Sequence, residues 1–161
     1  MTGNINLEPL IRFMKTLPKS GDIELTLLKC HLLIDEVLTK MIELNHKHPK
    51  YLNEARLAFS QKMKLARASN DIQHQAWVWK SLHLLNQARN ELAHNLTAEQ
   101  IEAKLEVFTV FVKGNEVEWP TEAISGKFTE FHWAVYLVYT VVSAATEYDP
   151  KTVKVSTILT Q

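Results

Sequence analysis

Apolar positions along the chain recur every three or four residues over long stretches and almost nowhere alternate, the pattern of amphipathic helices rather than strands. Asp22 stands where an N-cap belongs. Beyond it Ile34, Leu38, Met41 and Ile42 form one apolar row, and Leu33, Val37, Met41 and Leu44 a second. Two rows make a wide apolar arc, so the segment to about Asn45 is expected to be a central, buried helix. Within His46-Lys47-His48-Pro49-Lys50 the proline ends it by steering its predecessor out of the α region. A second, more polar helix is expected from about Leu52 to Ala68, with Ala55, Phe59, Met63 and Ala66 as one apolar edge on the periphery. A third runs from about Gln73 to His94 on the stripe Val78, Leu82, Leu85, Ala88 and Leu92, with Asn95 placed to close it in a left-handed conformation.

Thr97-Ala98-Glu99-Gln100 reads as a capping box opening a fourth helix through Ile101, Leu105, Phe108 and Val112. Gly114-Asn115 ends it, and Glu116 to Pro120 is extended or irregular, with a small hairpin from Val107 to Trp119 as the alternative. A last helix, about Ser125 to Tyr148, carries Phe128, Phe131, Val135, Val138 and Val142, and the tail after Pro150 is an arm or frayed end. The fold class is therefore all-α, an antiparallel helical bundle of about five helices. One domain spans residues 1–161, with its core between about 22 and 148.

Composition narrows the picture. A chain of 161 residues is one domain's worth, and 46% hydrophobic with 22% charged residues suits a packed core. Four glycines and five prolines offer too few turn signals for an all-β chain. Lys plus Arg number 18 and Asp plus Glu 18, so any nucleic-acid binding must come from a local patch. Cys30 has no partner for an intrachain disulfide and sits among leucines, as packing. Met1–Pro9 does not read as a secretory signal, and Trp133–Ala145 falls short of the roughly 20 apolar residues that span a bilayer. A cytoplasmic protein without membrane contact is expected.

Several chemistries have no candidate residues. The chain contains no Gly-x-Gly-x-x-Gly, no Gly-Lys-Ser/Thr and no Gly-x-Ser-x-Gly, so neither a phosphate cradle nor a nucleophile elbow is expected. His46 and His48 have no carboxylate or cysteine at ligand spacing and read as a solvated loop; no metal and no cofactor is expected. His31, His74, His83 and His132 are scattered singly, as hydrogen-bonded structural histidines are.

Arg89-Asn90-Glu91-Leu92-Ala93-His94 is the segment that stands out. His94 falls in a last helical turn, where carbonyls without helical partners and the negative end of the macrodipole favour a cation. Asn90 lies one turn earlier on the same face and can orient the ring, as can Glu91. Arg89 and His94 are rotated from each other by about 140° and displaced by about 7.5 Å on a regular helix, so one straight helix does not bring them side by side. A surface arginine and a capping histidine would account for the same residues without function.

Arg89-Asn90-Glu91-Leu92-Ala93-His94 resembles the Arg-x4–6-His motif of HEPN domains (higher eukaryotes and prokaryotes nucleotide-binding), including the polar residue after the arginine. The likeness extends to a long early helix with Leu27-Leu28-Lys29-Cys30-His31-Leu32-Leu33-Ile34-Asp35-Glu36-Val37-Leu38, a polar helix, the motif helix and further helices, over about 22–148. It implies a bundle that dimerises so that Arg and His from two chains line one cleft, in a metal-independent endoribonuclease of toxin–antitoxin or antiphage and stress systems. Under it His94 is general acid or base, Arg89 stabilises charge on the phosphoryl oxygens, and Asn90 orients. Glu36 is a further candidate from the early helix, although Asp35-Glu36 also reads as that helix's polar edge.

Charge placement fits an RNA-binding face or plain solvation. Between His46 and Arg67 the six cations Lys47, Lys50, Arg56, Lys62, Lys64 and Arg67 stand against Glu54 alone, and the rest of the chain is correspondingly acidic. The acidic stretch Glu99–Glu122 suits a basic partner better than RNA. The expected partners are RNA, a second copy of the chain, and an antitoxin or sensor protein. The alternative is a non-catalytic interaction or nucleotide-binding module, a regulatory or antitoxin-like dimer. It would dock through Trp133, Tyr136 and Tyr139, which equally read as core or as a homodimer seam.

Overall fold

Asp22 caps the first long helix as its position suggested: its Oδ1 accepts the Leu25 N–H at 2.9 Å, satisfying a donor that the helix itself leaves open. The structure, a computed structural model, describes residues 8–18, 21–70, 72, 75–94, 97–115, 119 and 129–147. Among these are seven helices and no strand: α1 (Glu8–Thr16), α2 (Ile23–Leu44), α3 (Lys50–Glu54), α4 (Phe59–Ala68), α5 (Ala76–Leu92), α6 (Ala98–Lys113) and α7 (Glu130–Glu147).

The long α2 is the centre of the molecule, packed against α1, α4, α5, α6 and α7. Leu27, Cys30, Leu33, Ile34, Leu38, Met41 and Ile42 are all buried, recurring at helical spacing. The arc is not complete. Leu25, Leu28 and Leu32 are exposed on the outer side of α2, and Leu44 is 60% exposed at its end. That end is closed by Asn45, whose Nδ2 donates to the Met41 carbonyl at 2.8 Å, and by His46, whose Nδ1–H donates to the Ile42 carbonyl at 2.7 Å. His46, exposed just past the end of α2, thus also serves as a capping residue.

On α5 the expected stripe is buried at Val78, Leu82, Leu85 and Ala88 and half-buried at Leu92. On α6 it is buried at Ile101, Leu105, Phe108 and Val112. The α6 capping box forms as expected: Gln100 Oε1 accepts the Thr97 N–H at 2.9 Å, and Thr97 Oγ1 accepts the Gln100 N–H at 3.4 Å. Val107 lies inside α6, and residues 116–118 of the hairpin alternative lie outside the described residues. So do Asn95, Ser125, Phe128, Tyr148 and the tail after Pro150.

Two features depart from the five-helix expectation. The segment from Leu52 to Ala68 is not one helix but α3 and α4, broken where Arg56 takes a left-handed φ of 48°. Past the break Gln61 Oε1 accepts the Ala58 N–H at 2.8 Å and starts α4, which lies against α2 and α5. The second is α1, which no long periodic pattern announced. Its Phe13 is fully buried, 5.4 Å from the Tyr136 ring and 5.7 Å from that of Tyr139. Burying this one ring is worth about 1.5–3 kcal/mol, and it roofs the aromatic side of α7. Within the stripe Trp133, Tyr136, Tyr139, Tyr139 belongs to the core at 4% exposed, Tyr136 packs half-buried against it, and Trp133 is half-buried.

Candidate functional site

The C-terminal half of α5 carries the motif residues, and its polar edge looks onto a groove of about 530 Å³ between α2, α4 and α5. Helical spacing decides who meets there. From α2 come His31 and Asp35, one turn apart; from α5 come Asn86, Arg89 and Asn90, spaced three and four. The start of α4 closes the groove with Phe59 and Ser60, and Leu28 and Leu32 form an apolar rim.

His31 is held from two sides. Its Nε2–H donates to Asn86 Oδ1 across 3.1 Å, and its ring lies 4.2 Å from the ring of the buried Phe59. Burial holds the imidazole below its ordinary value. Asn86 opposes this through its hydrogen bond, the Arg89 charge adds to it, Asp35 opposes it and Lys62 adds to it. His31 is accordingly a neutral hydrogen-bond donor at pH 7. Beside it Lys62 Nζ donates to Asp35 Oδ2 at 2.6 Å, with the two side chains only 17% and 27% exposed. Arg89 is exposed at the mouth, its Nη1 donating to Asn90 Oδ1 at 3.3 Å.

Of the residues singled out by sequence, the groove gathers Arg89 and Asn90. His94 lies beyond the end of α5, exposed, its backbone N–H donating to the Glu91 carbonyl at 2.9 Å, and it is not part of the groove lining. Glu91 does not orient the His94 ring; its carboxylate pairs with Lys104 of α6 at 3.1 Å. Glu36 faces away from the groove and pairs with Arg12 of α1. The carboxylate of α2 that reaches the groove is its neighbour Asp35. Sequence reading passed over His31 and Asn86. The signal for His31 was its one-turn spacing from Asp35, which puts two polar residues on one face of α2.

Groove chemistry is that of a small polar pocket: one cation, Arg89, one carboxylate, Asp35, the neutral His31, two amides and a hydroxyl beside Phe59. The basic stretch now has a place, since α4 with Lys62 and Lys64 forms one wall's helix. A second cavity, about 610 Å³ between α6 and the starts of α2 and α7, is rimmed by Glu102, Glu106 and Glu130, acidic surroundings that disfavour a phosphate. Among the described residues no group of three or more His, Cys, Asp or Glu gathers within reach of one metal ion, and no helix is long and apolar enough to cross a membrane. His132 is engaged structurally: its Nδ1 accepts the Thr129 N–H at 3.0 Å at the start of α7. No protein-family model matches the chain, and no curated protein or solved structure was found to match it.

Proposed function

We propose that the protein is a metal-independent endoribonuclease of the HEPN type, acting as a homodimer in a toxin, antiphage or stress-response system. The observation that carries this reading is the exposure of Arg89, Asn90 and His94 together at one end of α5, beside the groove, while the helix's other face is buried. Pairing two copies at this end would offset the rotation that separates Arg89 from His94 on one helix. In the composite cleft one His94 imidazole takes the proton of a ribose 2′-hydroxyl as that oxygen attacks the adjacent phosphorus. The bond from phosphorus to the 5′-oxygen breaks, and the second copy's imidazolium protonates the leaving oxygen, giving a 2′,3′-cyclic phosphate and a 5′-hydroxyl. Arg89 stabilises the extra negative charge on the phosphoryl oxygens, and Asn90 holds the guanidinium.

The test is cleavage of total RNA in EDTA by wild type, Arg89→Ala and His94→Ala, with folding checked by melting. Loss of His94 is expected to cost about 10²–10⁴ in rate and loss of Arg89 about 10²–10³. RNA cleavage that persists undiminished in both variants removes these residues from the chemistry. A second reading, a non-catalytic interaction or nucleotide-binding module, is favoured by the position of His94 outside the groove that holds Arg89. It expects no cleavage by wild type under any condition.

A further inference from the structure

We infer that the groove between α2, α4 and α5 is a base-recognition pocket selective for guanine. It rests on the ribonuclease reading only in taking the base to belong to RNA. The volume of about 530 Å³ lies in the range of small-ligand sites. Its exposed apolar surface comes from Leu28 and Leu32, 44% and 49% exposed, large aliphatic side chains that a bound base would cover, while Phe59, 8% exposed, lies in the lining behind His31's ring contact. Unstacked bases of single-stranded RNA are commonly read by packing against aromatic or apolar side chains and by hydrogen bonds along their edges.

Selectivity follows from which hydrogen-bonding groups remain unspent. Asn86 Oδ1 is occupied by the His31 N–H, so this amide has its Nδ2 donors to offer. Asn90 Oδ1 is occupied by Arg89 in the same way, and Arg89 itself only donates. Each of these amide oxygens keeps a second lone pair, but the groups still wholly unspent on the α5 wall are donors. Opposite, Asp35 only accepts; Lys62 engages Oδ2, and a carboxylate keeps further lone pairs on both oxygens.

Guanine is the RNA base that fits both walls. It presents acceptors at O6 and N7 and two adjacent donors, N1–H and the N2 amino group. A carboxylate can take both donors at once. Adenine would turn its N1 lone pair toward Asp35, and uracil and cytosine each bring one donor group. His31 has a positioning role here, fixing the Asn86 amide.

The test is calorimetric binding of GMP, IMP, AMP and ribose 5-phosphate to the wild-type chain. GMP is expected to bind at least about 5-fold more tightly than AMP, the lower end of what a bidentate pair discriminates. IMP, which lacks the N2 amino group, is expected to fall between, and Asp35→Asn to abolish the preference for GMP over IMP. Equal binding of the three nucleotides, ribose 5-phosphate binding as tightly as GMP, or no binding of GMP each overturns the proposal. The ligand panel on wild type needs no variant to fold and breaks no bond. Guanine preference can therefore survive a chain that does not cut RNA, and a chain that cuts RNA can fail the panel.

Discussion

His31 and His132 are both buried enough to hold their imidazoles below the ordinary range, and this sets how the protein responds to acid. In the unfolded chain both titrate near pH 6.5, whereas in the folded chain they resist protonation. As pH falls through that value the unfolded state binds more protons, so stability is fully present above it and is lost below. Melting temperature is expected to fall between pH 7 and pH 5. The fall should be shallower in His132→Gln, which retains an acceptor for the Thr129 N–H; an equal fall in this variant would show that His132 contributes nothing. Cys30 makes a companion case. Burial pushes its thiol up to about 12, so it has almost no thiolate at neutral pH. A thiol reagent should leave native protein unlabelled for as long as it stays folded and react at once in denaturant. At this scale the sequence showed Arg89, Asn90 and His94 because they are close in the chain. It hid the His31–Asn86 pair, whose members are 55 positions apart and meet only through the packing of α2 on α5.

Helix ends with a local chemical signal were legible before the fold was known. Asp22 and the Thr97–Gln100 box form the caps that their spacing implies, because a cap is decided within four residues. What stayed hidden were elements without such a signal. The short α1 is anchored by Phe13 between α1 and the tyrosines of α7, a contact across more than 120 positions. Phe13→Ala is expected to destabilise the protein by about 3–5 kcal/mol, measured by chemical denaturation, and to expose Tyr139 to solvent. A change under about 1 kcal/mol would mean that α1 is not integral to the core. The break between α3 and α4 depends on a residue whose left-handed conformation costs an L side chain about 1–2 kcal/mol. Arg56→Gly should therefore raise stability by up to about 1 kcal/mol, once glycine's greater loss of chain freedom is counted.

For the whole molecule, net charge zero conceals an uneven distribution: α4 and the segment before it are basic, and the cavity beside α6 is acidic. Under the ribonuclease proposal, RNA should approach along α4, and its binding should weaken steeply with added salt. Under the composite-cleft proposal, sedimentation should return twice the 18.5 kDa chain mass. A strictly solitary chain would overturn that cleft while leaving the groove intact. Spacing along the chain sufficed for the helical class, for the four long helices α2, α5, α6 and α7 with their buried stripes, and for a motif at the end of the second of them. Each depends on spacing within one element, where 3.6-residue periodicity and capping chemistry act locally. Tertiary structure alone decided that α1 covers the aromatic stripe, that Glu36 turns to Arg12 and Asp35 to Lys62, and that Arg89 shares a groove with His31 rather than with His94. Those outcomes depend on how helices distant in the chain rotate against one another to fill a common core, and a rotation of about 100° per residue suffices to exchange neighbouring carboxylates between two sides of α2.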